Sequence, residues 1–324
     1  MHRISNNTAR VFSASHGLFG LLTGAGEATV SLAGSFRHRA GTAADLPVVG
    51  DYVQLDDNGL IGSVLPRRTK FSRRAAGTRD EEQVLAANVD LALLVCGLDG
   101  DFNLRRLERY LVLAHQSGAD PVIVLNKADL DPASLPLRVA EARGVASGAP
   151  VVTTSTMRDG GVGAVEALLE PGVTAVLLGS SGAGKSSITN ALLGGQHLRT
   201  QAVREHDSRG RHTTTHRELV QLPGKAWIID TPGLREIQLW ASEDTVRQVF
   251  DDVEELARGC RFRDCKHSGE PGCAVAAAIA AGELDEGRLE SRNKLGGEAR
   301  TMTKAKLKQI SRDIRAHYRV TGKK

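Results

Sequence analysis

Aromatic side chains make up only 4% of the 324 residues, and methionine occurs three times, so any core must rest on Val, Leu, Ile and Ala. No run of about 18 apolar residues exists, which excludes a membrane-spanning helix. The opening MHRISNNTAR has neither an apolar stretch nor a cleavage site, so no secretory signal is expected and a cytoplasmic location follows. Cysteine is sparse: one at 96 inside an apolar run, and three crowded at 260, 265 and 273. In a cytoplasmic chain that clustering favours a metal site over disulfides. Neither sign of charge dominates, with 42 Lys and Arg against 38 Asp and Glu. At 25% charged and 41% hydrophobic, the composition excludes a disordered or collagenous chain.

The charge is unevenly placed. Residues 1–75 and 288–324 carry net charges of +4 and +9, and the stretch between them carries −9. Basic ends on an acidic middle suggest contact with nucleic acid, the alternative being a solvated basic tail.

Residues 10–75 hold short β-like runs between Gly and Ser, among them VVGDYVQLDD and GLIGSVLPR around a turn at Asp57-Asn58-Gly59. They predict a small all-β barrel, or else the first hairpins of a larger sheet. After Arg74 the pattern changes. VDLALLVCGL, PVIVLNKADL, PVVTTS, VTAVLLG and KAWIID read as buried strands, and RRLERYLVLAHQSG as a helix stopped at Gly118. The alternation predicts a parallel sheet covered on both faces. From about 241 the strands stop: TVRQVFDDVEELARG reads as one helix, a Cys/His cluster and an Ala-rich helix follow, and RTMTKAKLKQISRDIRAHYRV reads as a basic amphipathic helix.

The strongest motif is Gly179-Ser180-Ser181-Gly182-Ala183-Gly184-Lys185-Ser186, which fits G-x-x-x-x-G-K-[ST] between an apolar strand and a helix. Such glycines let backbone N–H groups turn toward phosphate oxygens at a helix N-terminus. Lys185 would meet the β- and γ-phosphates, Ser186 would ligate Mg²⁺, and Ser187 joins the nucleotide-contacting set. Asp230-Thr231-Pro232-Gly233 ends the strand AWIID; Asp230 suits Mg²⁺ and Gly233 the γ-phosphate. Asn126-Lys127-Ala128-Asp129 matches the N-K-x-D box. Its Asp129 carboxylate can accept from guanine N1–H and the 2-amino group together, which adenine cannot offer. Thr154-Ser155-Thr156 falls where the last guanine-contacting loop belongs, with Ser155 as its candidate. N-K-x-D precedes the phosphate loop and DTPG comes last, so the domain is expected to be a circularly permuted GTPase.

Leu234 stands where a glutamine positions the attacking water in signalling GTPases. The loop Ser208–His216 reads as a switch, with one of Thr213, Thr214 or Thr215 completing the Mg²⁺ shell, Thr214 being the one selected. His212 could orient or deprotonate water, or simply face solvent or a partner. Finally, Cys260-x4-Cys265-x-His267-x5-Cys273 suits one tetrahedral Zn²⁺ in a closed structural site.

NKAD at 126–129, GSSGAGKS at 179–186, GRHTTTH at 210–216, DTPG at 230–233 and CRFRDCKHSGEPGCAV at 260–275 together resemble the ribosome small subunit-dependent GTPase A family (RsgA/YjeQ) over nearly the whole chain. The resemblance implies an N-terminal OB-fold RNA-binding domain (1–75), a permuted GTPase domain (76–240) and a C-terminal mainly helical zinc domain with a basic tail (241–324). It further implies GTP hydrolysis in late maturation of the small ribosomal subunit, stimulated by that subunit. Contact with rRNA is implied, no membrane, and a monomeric chain. Members typically carry Tyr after the Arg that follows the zinc site; here Ser291-Arg292-Asn293 has Asn.

Overall fold

A computed structural model describes residues 7–74, 82–194, 218–230 and 241–321, with backbone alone at 74, 230 and 304–321. Strands β1 (Thr8–Ser15), β2 (Leu18–Thr23) and β3 (Gly26–Ser31) form an antiparallel meander. Helix α1 (Gly34–Arg39) follows, then the hairpin β4 (Tyr52–Leu55) and β5 (Ile61–Val64). β4 returns to β1, and a parallel bridge from Leu32 to Ile61 brings β5 against the end of β3. The closed order β1-β2-β3-β5-β4 is that of an OB barrel. Val11, Phe19, Leu21, Val53 and Ile61 fill it, and Phe36 of α1 joins the same core.

A register shift between Val11 and Ser13 bends β1, freeing its far end to pair Ser13 with Glu218 of β12 (Glu218–Gln221). The small barrel expected for this region forms, and this one pairing joins it to the edge of the main sheet. Arg10 secures the same seam. Its buried guanidinium lies over the rings of Tyr52 and Trp227, at 5.3 and 5.6 Å, and donates to Thr174 Oγ1 at 2.7 Å. Desolvation pulls its pKa below the usual arginine value.

The main sheet runs β10 (Val151–Thr153), β9 (Asp120–Asn126), β8 (Leu91–Gly97), β11 (Thr174–Leu178), β13 (Trp227–Asp230), β12. All its pairs are parallel except β12 with β13. Alternation along β8 sends Ala92, Leu94 and Cys96 to one core and Leu93 and Val95 to the other. Helix α2 (Leu104–Ser117) covers the first face, capped by Asn103 and ended by Gly118 in the left-handed region at φ 84°. Helices α3 (Leu135–Val145), α4 (Gly163–Glu166) and α5 (Lys185–Leu192) complete the crossovers. A separate hairpin, β6 (Lys70–Arg74) and β7 (Glu82–Ala87), packs Phe71 and Leu85 into the α2 core. The sequence reading did not resolve that hairpin.

The C-terminal region is helical: α6 (Glu243–Val249), α7 (Asp251–Arg258), α8 (Ala274–Ala280) and the 36-residue α9 (Glu286–Thr321). The single helix expected over TVRQVFDDVEELARG is two, broken at Phe250 with φ −109° and ψ 36°. The break turns Phe250 fully into the core, under the Arg288 guanidinium at 4.7 Å from its ring. Burying such a side chain is worth about 1.5–3 kcal/mol, more than one lost helical hydrogen bond. Among the described residues, no helix is long and apolar enough to cross a membrane.

Candidate nucleotide site and metal centre

Two strand ends and their loops meet at the carboxyl edge of the sheet. β11 ends in the loop Gly179–Gly184, and α5 starts at Lys185, so the backbone N–H groups of that first turn face the edge. Lys185 Nζ donates to the carbonyls of Gly179 and Ser180, at 2.7 and 2.5 Å, which holds its charge over the loop. Gly184 has φ 95°, and a Cβ there would lie 2.1 Å from Asn126 Nδ2. Only glycine permits that approach. Asn126, at the end of β9, uses it to donate to the Ala183 carbonyl at 3.0 Å, while its Oδ1 accepts from Thr154 Oγ1 at 3.0 Å. One buried amide therefore ties together the 126–129 box, the phosphate loop and the 154–156 loop.

The other members of the box follow from this frame. Lys127 takes φ 63° and its ammonium pairs with Asp99. Asp129 accepts from Ser155 Oγ at 2.5 Å, and that bond, the largest cause, holds its carboxyl below the usual range. Asp129 is thus an ionised acceptor at neutral pH, oriented by a buried serine. Ser186 sits in the first turn of α5, and the backbone of Asp230 ends β13, the strand paired with β11. Both offer hard oxygen donors, which is the chemistry Mg²⁺ selects. Of the expected site residues, Asn126, Lys127, Asp129, Ser155 and the phosphate loop through Ser187 come together at this edge. His212, Thr214 and Gly233, with Thr213, Thr215 and Leu234, lie outside the described residues.

Two residues here were missed from the sequence. Asp99 and Asp101, on the loop after β8, bind Lys127 and Ser180 respectively. As sequence, DGDFN is an ordinary turn and helix cap; its place beside the phosphate-loop strand is the signal.

The second centre lies between α7 and α8. Donor atoms of Cys260, Cys265, His267 and Cys273 all fall within 4.8 Å of one another. Cys260 Sγ is 3.6 Å from His267 Nδ1 and 3.9 Å from Cys273 Sγ, and His267 Nδ1 is 3.4 Å from Cys273 Sγ. Those edges match a tetrahedron with arms of about 2.0–2.3 Å, so the set could hold a metal ion of zinc's preferences. His267 accepts φ 60° to join it. The carboxylate of Glu270 accepts from the backbone N–H of Lys266 and Ser268, at 2.9 and 2.7 Å. Those N–H bonds lower its pKa to about 2 and fix the turn that carries the histidine. Cys96 stays in the sheet core, 3% exposed.

Residues 64–240 match the RsgA GTPase family model. The small ribosomal subunit biogenesis GTPase RsgA of Opitutus terrae is 51% identical over 86% of this chain and 79% of its own length. The chain belongs to the RsgA GTPase family. Among solved structures, YjeQ from Thermotoga maritima superposes with a TM-score of 0.66 at 27% identity, over 90% of this chain and 98% of the other. YloQ, described as a circularly permuted GTPase, has the same fold, with a TM-score of 0.63 at 24% identity over 93% of this chain and 97% of its own. The motif order and the sheet order found here agree with that permutation: the N-K-x-D strand β9 and the phosphate-loop strand β11 flank β8, although β9 comes first in the chain.

Proposed function

We propose that this chain hydrolyses GTP while bound to the small ribosomal subunit and assists late maturation of that subunit. The reading rests on family membership and above all on Asn126, whose amide joins a guanine-selective box to a phosphate loop in one rigid frame. In this reading Asp129, held by Ser155, accepts from guanine N1–H and the 2-amino group, and the Lys127 stem flanks the base. The loop N–H groups and Lys185 bind the phosphates and meet the charge that grows on the transferring phosphoryl group. Ser186, Thr214 and Asp230 would hold Mg²⁺, which neutralises phosphate charge when bound. Gly233 would meet the γ-phosphate, and His212 would orient the attacking water in place of the glutamine that Leu234 replaces.

The division proposed is an OB barrel for rRNA at 1–75, the GTPase domain at 76–240, and a zinc domain with basic tail at 241–324, acting as a cytoplasmic monomer. One Zn²⁺ held by Cys260, Cys265, His267 and Cys273 would lock α7 to α8 and leave no open ligand position. Steady-state phosphate release from GTP, measured alone and with purified small or large subunits, tests the reading. Stimulation confined to small subunits is expected; equal rates in all three conditions would reject a ribosome-directed role.

A further inference from the structure

The loop Leu98–Asn103 touches both halves of the nucleotide frame. Its first N–H, at Leu98, donates to the Asn126 carbonyl at 2.8 Å. Asp99 takes the Lys127 ammonium, and the Asp101 N–H donates back to Asp99 Oδ1 at 3.0 Å, closing a tight turn. Asp101 then accepts from the Ser180 hydroxyl, the second residue of the phosphate loop, through one carboxylate oxygen. The other oxygen accepts from Arg106 at 2.7 Å, in the first turn of α2. No established phosphate-loop motif requires a carboxylate at that point. A carboxylate braced by an arginine is a fixed acceptor, so Ser180 is held from outside the loop by a helix that belongs to the body of the domain.

We infer that Asp101 is a positioning residue for the phosphate loop, acting through Ser180 to keep the loop in its phosphate-ready shape and so slowing nucleotide release. The inference rests on the nucleotide reading above. Asp101 touches no part of the nucleotide in this account; its effect passes through one hydroxyl. Ser180→Ala removes the contact without disturbing Arg106, so it carries the test even if Asp101 variants fold poorly.

The experiment is release of fluorescently labelled GDP (mant-GDP) from the full chain, chased with unlabelled GDP. Losing a hydrogen bond to a charged group corresponds to about a tenfold change or more. Ser180→Ala and Asp101→Ala should each speed release about tenfold, by the same reasoning, and the double variant should be no faster than either single one. Asp101→Asn, which keeps an acceptor, should fall between. The preference for guanine over xanthine nucleotides should stay as in the wild type, because Asp129 and Ser155 are untouched. Wild-type binding with unchanged release in Ser180→Ala, or additive effects in the double variant, would overturn this inference alone. A wild-type chain that binds no mant-GDP would instead overturn the nucleotide reading beneath it.

Discussion

The carboxylate of Glu108, fully buried on α2, meets the guanidinium of Arg288 on α9 at 3.0 Å across 180 residues of chain. Arg288 also binds Asp252 of α7 at 2.5 Å and the Val249 carbonyl at 3.0 Å. Around it, Arg105 pairs with Asp285 at 2.5 Å and Arg109 with Glu298 at 2.9 Å. The C-terminal helices are therefore pinned to the same helix whose first turn braces the nucleotide edge.

Arg288→Ala leaves that buried carboxylate with Arg105, at 2.8 Å, as its remaining charged partner, and losing the Arg288 bond should cost about 1.5–3 kcal/mol of stability, the range for a hydrogen bond to a charged group. Burial already pushes the Glu108 pKa up, against the pull of Arg105 and Arg288; removing Arg288 raises it further. A carboxyl with a raised folded pKa favours the folded state most below the ordinary glutamate value. That advantage is lost as pH rises through the folded pKa. The variant should therefore gain thermal stability relative to wild type as pH falls from 8 toward 5. Melting curves at several pH values check this, and a constant difference between the two proteins would assign the loss to packing alone.

Removing the proposed zinc ion should act on the C-terminal region first. Cys260→Ser with Cys265→Ser should reduce bound zinc from about one per chain to none, since two of four ligands are gone. Metal analysis by atomic emission reads this directly. GTP binding should survive, because no ligand of the cluster touches the nucleotide edge, and stimulation by small subunits should collapse. Full stimulation in the zinc-free chain would separate that region from the activity.

At the phosphate end, Lys185→Ala should lower turnover about 10²- to 10³-fold, the usual cost of one fixed charge aimed at the developing transition state. His212→Ala should lower subunit-stimulated turnover with little change in nucleotide affinity. Single-turnover hydrolysis with small subunits present distinguishes the two; wild-type rates in His212→Ala would remove it from the chemistry.

Most of the nucleotide frame was legible because its residue types have few other uses in that order. A glycine loop before Lys185, and an Asn-Lys-x-Asp at a strand end, carry their chemistry in the sequence itself. The buried strands were legible from unbroken apolar runs, whereas β6 and β7 were not, since Lys70, Arg73 and Arg74 interrupt the pattern in β6. The break at Phe250 was hidden because helical spacing continues through it; tertiary burial of that ring decides it. Glu108 gave a readable clue, falling on the apolar face with Leu107 and Leu111, but its partner lies too far along the chain to be inferred. Asp101 gave none, because its role exists only once β8 and β11 are neighbours.

The most direct test of the account is the nucleotide preference of Asp129→Asn, measured as affinities for GTP, XTP and ATP. In the proposed reading the carboxylate held by Ser155 selects guanine, and the variant turns one of its two acceptors into a donor. Affinity for GTP should fall by about a hundredfold or more, while XTP, which presents a carbonyl at C2, should bind better than it does to wild type. Unchanged GTP affinity, with XTP still rejected, would contradict the placement of the guanine base at this edge.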